Sequence, residues 1–209
     1  MEGPGKTART TQRIIANALR ACLLGLAMAT AVSAVQPDAA RAAYEREDYS
    51  AAAALYAPRA AAGDAEAQYR MGMMARFGWG MDKDTAAAVR WLSEAAGQNH
   101  PEAQAELGTI YRLGRGVPED PKRAAQLLAA AATAGVGMAQ LSIGRMYRDG
   151  IGVDRDLVEA YAWFSAAGEN SVMDGFAYRS EIVKDMNPEQ IAEGKRRAAQ
   201  RGRKETQAK

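Results

Sequence analysis

The chain has 209 residues, of which 48% are hydrophobic and 25% charged, with a formal net charge of +2. These values exclude a wholly disordered chain and suit one domain or a short repeat array. Alanine supplies 47 residues, against 24 for Val, Ile and Thr together, which argues for helices and against an extensive sheet; one Cys and one His exclude a disulfide framework, a thiolate zinc site and a His-pair metal site.

Residues 1–34 read as an export signal. Lys6, Arg9, Arg13 and Arg20 precede a run from Ala21 to Ala34 that carries no charge and ends in small residues. Cleavage is expected after Ala34, through a Sec-type route, which places the protein in a bacterial periplasm or outside the cell. The alternative is an uncleaved inner-membrane anchor facing the periplasm, although the apolar run is short of the roughly 20 residues a spanning helix needs. Membrane contact is expected only through this segment, if it is retained. Cleavage removes Cys22 and leaves a chain without thiols, compatible with an oxidising compartment. Between 35 and 194 there are 16 basic and 23 acidic residues. So acidic a body speaks against a nucleic-acid partner.

Residues 35–64 predict a capping helix pair that turns at Glu47-Asp48, with Pro58 bending its second helix. A 36-residue period then takes over. Gly72, Gly108 and Gly144 share it, as do Gly78, Gly114 and Gly150; Gly80, Gly116 and Gly152; and Asp84, Asp120 and Asp156. Apolar positions keep the same register, as in Met71, Leu107 and Ile143. Each unit reads as two helices. The first starts near Ala65, Pro101 or Gly137, runs about 12 residues and ends at Gly78, Gly114 or Gly150, where a left-handed residue is wanted. The second is capped by Asp84, Asp120 or Asp156 and carries residues such as Ala88, Trp91, Leu92 and Ala95 inward. The mid-helix glycines at 72, 108 and 144 imply close approach of the second helix, whose alanines leave room. Trp91 and Trp163 are expected in the core.

Three such units occupy 65–170. Residues 171–200 predict C-terminal capping helices, the last opened by Asn187-Pro188-Glu189-Gln190 as a capping box. From 201 to 209 a disordered basic tail is expected.

Ala103, Leu107, Gly108, Tyr111, Gly114, Gly116, Val117, Asp120, Ala124 and Ala131, with their images, resemble the Sel-one-like repeat (SLR) family, relatives of the tetratricopeptide repeats. The first unit departs most, with Ala75 in the Tyr position and Met81 in the Val position. The resemblance implies an all-α fold, an α-solenoid of stacked antiparallel helix pairs. It also implies a non-catalytic adaptor or scaffold that binds a protein or peptide in a concave groove, regulation of a membrane sensor being a sub-case. By analogy with tetratricopeptide repeats, that groove would hold Tyr69, Met73, Arg76, Thr109, Arg112, Met138, Leu141, Arg145 and Arg148. Arg76, Arg112 and Arg148 would form a ladder suited to an acidic peptide, or would only complement three helix C-termini. Trp79, between two glycines, is a hot-spot candidate or a packing residue.

Chemistry finds little support. His100 reads as an exposed turn residue, and Asp84, Asp120 and Asp156 should lie about 10 Å or more apart, too far to share a proton or metal. No catalytic, cofactor or metal residues are assigned. Two alternatives stay open: a cell-wall or β-lactam hydrolase, claimed for secreted relatives, and an envelope-anchoring element working through the basic tail.

Overall fold

The computed structural model describes residues 39–207. The chain divides into two compact units, Met1–Leu55 and Tyr56–Lys209. In the first, α1 covers 39–45, and α2 (Tyr49–Ala61), which runs past Leu55, begins after a turn in which Glu47 takes φ +62°. Asp48 caps α2, its Oδ1 accepting the Ala51 N–H at 3.2 Å, and Tyr44 and Tyr49 meet edge to face across the turn. The expected turn position is therefore observed. The export segment 1–34 lies outside the described residues.

The second unit is a stack of helical pairs. Helices α3 (Ala65–Phe77) and α4 (Thr85–Gly97), α5 (Pro101–Leu113) and α6 (Pro121–Thr133), and α7 (Gly137–Asp149) and α8 (Leu157–Glu169) are all 13 residues long. The two helices of each pair pack together, and the second helix of each pair packs on the first helix that follows it. Then come α9 (Asp174–Ile182), a 3-10 turn Val183–Asp185, and α10 (Pro188–Gln207), which packs on α8. Among the described residues there is no strand.

The local reasons are those the period dictates. Gly78, Gly114 and Gly150 end α3, α5 and α7 in the left-handed conformation, each amide donating back to the carbonyl four residues earlier. Asp84, Asp120 and Asp156 cap the second helices by accepting backbone N–H groups. At the mid-helix glycines the fit differs from expectation. A Cβ on Gly72 would lie 2.8 Å from Leu92 Cγ, on Gly108 2.9 Å from Leu128 Cγ, and on Gly144 2.7 Å from the Phe164 ring. A large side chain of the second helix, rather than a gap left by alanines, fills the space that each glycine provides.

The core runs from pair to pair. Leu92 and Ala95 of α4 join Ala103, Leu107 and Ile110 of α5; Leu128 and Ala131 of α6 join Ile143 and Met146 of α7. Burying each large aliphatic side chain is worth about 1.5–3 kcal/mol. Trp163 is buried as expected, but Trp91, its image two units earlier, is only half-buried. The difference lies in α10: Arg201 sits 4.0 Å over the Trp163 ring, whereas Trp91 has the neighbouring Arg90 at 5.5 Å. α10 runs on to Gln207 where a disordered tail was expected from 201, and this contact holds its Arg201. Arg201 also pairs with Glu159, and Arg197 reaches Glu159 at 2.6 Å. Asn187 and Gln190 form the expected capping box, Gln190 N to Asn187 Oδ1 at 2.8 Å and Asn187 N to Gln190 Oε1 at 2.9 Å.

Candidate functional site: the face of the first helices

The first helices α3, α5 and α7 bring most of the sequence-predicted residues to one side of their pairs, but not on equal terms. Tyr69 is half-buried and stacked on His100 at 4.9 Å; Met73 is half-buried beside it in α3. Thr109 returns its hydroxyl to the Ala105 carbonyl at 2.9 Å. Met138 is 62% exposed and available. Leu141 is not: it is 6% exposed, packed with Phe164 and Ile182, with Val172 and Tyr178 against the same cluster. Repeat analogy placed Leu141 in the groove without allowing for α9, whose Tyr178 and Ile182 cover that part of α7.

The arginine ladder is present with three different rungs. Arg76 forms an ion pair with Glu106 of α5 and lies 4.9 Å over the Phe77 ring. Arg148 grips Asp149, Nε to Oδ1 at 2.7 Å and one terminal nitrogen to Oδ2 at 3.0 Å, and lies 5.3 Å over Tyr178. That hydrogen bond holds the Asp149 carboxyl below its usual range. Arg112 has its Nε buried with no hydrogen-bond partner among the described residues. Arg145, exposed on α7, lies 5.6 Å from the Tyr178 ring.

Two notches open beside the ladder, one repeat apart. The larger, about 310 Å³, is lined by Arg76, Phe77, Lys83, Ile110 and Arg115; the smaller, about 70 Å³, by Arg112, Ser142, Arg145, Met146, Asp149 and Ile151. Phe77 and Trp79 stack at 4.7 Å, so the residues immediately before and after the left-handed Gly78 lie side by side. Trp79 is half-buried in that pair, so packing and exposure are both realised. The images of Phe77 and Trp79 include Leu113 and Ile151, and Phe77, Leu113 and Ile151 are all exposed. The face thus alternates cations with uncovered apolar side chains.

His100 corrects the sequence reading. It is a mostly buried residue that caps α5, its Nδ1 facing the Ala103 N–H at 3.4 Å while Nε2 lies 2.9 Å from Glu66 Oε2. A carboxylate does face it, from the first turn of α3. The clue was present: Asp64, the cap of α3, stands 36 residues earlier. Sequence reasoning also missed Gln68, Gln104 and Gln140. These buried residues donate from Nε2 to the carbonyls of Ala60, Ala96 and Ala132, at 3.2, 3.4 and 3.1 Å. Their 36-residue spacing was the available signal. Among the described residues no cluster of His, Cys, Asp or Glu suits a metal ion, and no helix is long and apolar enough to cross a membrane.

Three successive copies of the Sel1 repeat match the chain, at 65–100, 101–136 and 137–172. A protective antigen of uropathogenic Escherichia coli strains displaying an SLR fold is 33% identical at a TM-score of 0.69, covering 74% of this chain and 33% of that one. A Sel1 repeat protein from Oxalobacter formigenes is 25% identical at a TM-score of 0.65, covering 68% of this chain and 59% of that one. The chain thus spans about a third of the first protein's length and about three fifths of the second's. No curated protein matches it.

Proposed function

Because the chain belongs to the Sel1 repeat family, whose members are generally non-catalytic protein-interaction scaffolds, we propose that it is an adaptor of the bacterial envelope that binds a partner protein or peptide along the face of α3, α5 and α7. The observation that carries this reading is the alternation on that face of arginines with exposed Phe77, Leu113 and Ile151. Apolar side chains there anchor a ligand, and the cations select one with acidic residues. Envelope placement is supported by the basic lead and uncharged run within 1–34.

The test is site-specific photo-crosslinking in cells producing the full-length chain. A crosslinker at Leu113 should capture a saturable partner, and one at Glu94, outside this face, should not. Capture should be lost with Phe77→Ser combined with Arg112→Glu. Equal capture from both positions, or capture indifferent to the double substitution, defeats the reading. Export is checked separately by N-terminal sequencing of the purified protein, which should begin at Val35.

A further inference from the structure

The repeat supplies an internal comparison for each arginine of the ladder. Position 106 and its images, 142 and 178, face the arginine of the preceding unit. Arg76 meets the Glu106 carboxylate there, and Arg148 meets the Tyr178 ring. Opposite Arg112 stands Ser142, too short to reach as Glu106 does, with its hydroxyl turned back onto the Met138 carbonyl at 2.8 Å. Arg112 is therefore the rung without a counter-group among the described residues, its Nε buried and unbonded.

The surroundings sharpen the point. Burial, and then the charges of Arg145 and Arg115, hold the Arg112 guanidinium below its usual pKa, as expected of a cation kept from water among its own kind. Asp149 lines the same notch, but both its oxygens are held by Arg148. A half-buried cation without an anion is unfavourable for folding, so the arrangement serves something other than the stability of the free chain. At about 70 Å³ the notch admits the end of one side chain, with Met146 and Ile151 in its wall to accept methylene groups.

We propose that this notch is a carboxylate-binding site in which Arg112, with Arg145, takes a glutamate side chain of a partner, as Glu106 serves Arg76 one repeat earlier. A planar guanidinium with five donors is suited to that task, and Lys in its place would not present the same fork. The proposal deepens the scaffold reading and rests on it only for the source of the glutamate.

The test supplies the carboxylate from within. In the full chain, Ser142→Glu should place it where Glu106 stands relative to Arg76, and should melt several degrees higher than Ser142→Gln. In parallel, the side-chain NMR signal of Arg112 Nε is followed during titration with the blocked peptide acetyl-Ala-Glu-Leu-Ala-amide. The signal should shift with this peptide and respond at least tenfold more weakly to the Gln counterpart. Ser142→Glu should abolish the response. Equal melting of the two variants, or equal response to the two peptides, overturns the proposal. A larger response to acetyl-Ala-Gln-Leu-Ala with a free carboxyl terminus overturns the choice of a side chain. None of these readouts uses the cellular partner, so their failure leaves the scaffold reading standing, and failed crosslinking leaves the notch standing.

Discussion

Gln140 is 0% exposed and bridges two pairs: its Nε2 donates to Ala132 and its Oε1 accepts from Asn170 Nδ2 at 3.0 Å. Gln140→Met should fill the same space, leave Asn170 without that acceptor, and cost about 1–3 kcal/mol in urea unfolding. A null effect would show that these ties are ornamental. The Glu66–His100 link gives a prediction in pH. Burial pushes the Glu66 carboxyl up, but hydrogen bonds from His100 and Arg70 outweigh it, so its pKa falls below the ordinary 4.5. A lowered carboxylate pKa adds stability above the unfolded value, and that contribution is lost as pH falls through the folded one. The difference in Tm between the wild type and Glu66→Gln should therefore be full above about pH 4.5 and close below it. Legibility at this scale was uneven. Glycines and capping aspartates could be read because backbone geometry dictates them. His100 and Gln140 carried a spacing signal, through Asp64 and through Gln68 and Gln104, but spacing does not name the partners, which the stacking of the pairs supplies.

Helix ends were the most readable elements, because start and stop chemistry is local. Pro101 and Pro121 stand at first helical positions, and left-handed glycines close all three first helices. Asp120 is exposed and caps α6 through Oδ1, which accepts the Arg123 N–H at 3.0 Å. Asp120→Ala should cost about 0.5–2 kcal/mol, measured by thermal unfolding. A loss far above that range would mean that Asp120 does more than cap. After α8 the period gives way. The capping segment that follows α8 divides into α9 and a 3-10 turn, and its covering of Leu141 had no repeat image from which to be inferred. The candidate face therefore ends short of Leu141, which this segment covers.

At the scale of the second unit, α10 closes the stack on α8. Gly194 lets the helix approach Tyr161, while Arg197 and Arg201 pair with Glu159. Two cations of the basic C-terminal stretch are thus paired within the molecule. Removing residues 195–209 should uncover Trp163, shift its fluorescence to longer wavelength and lower Tm by several degrees, as expected when a terminal cap is lost from a repeat stack. An unchanged spectrum would contradict the assignment of α10 as a cap. The architecture was legible because 36-residue self-similarity leaves few other folds. The unequal ladder was not, because periodicity reports what is shared among the units and hides Ser142 among its images.

Each buried glutamine reaches back only eight residues, from Gln68 to Ala60, Gln104 to Ala96 and Gln140 to Ala132. Every unit therefore brings its own fastening to the one before it. A duplicate of 101–136 spliced in after Val136 would arrive with its rivet, its glycine socket and the leucine that fills it. The molecule can lengthen in whole steps without new joinery, and each added step would carry a further copy of the arginine-lined face.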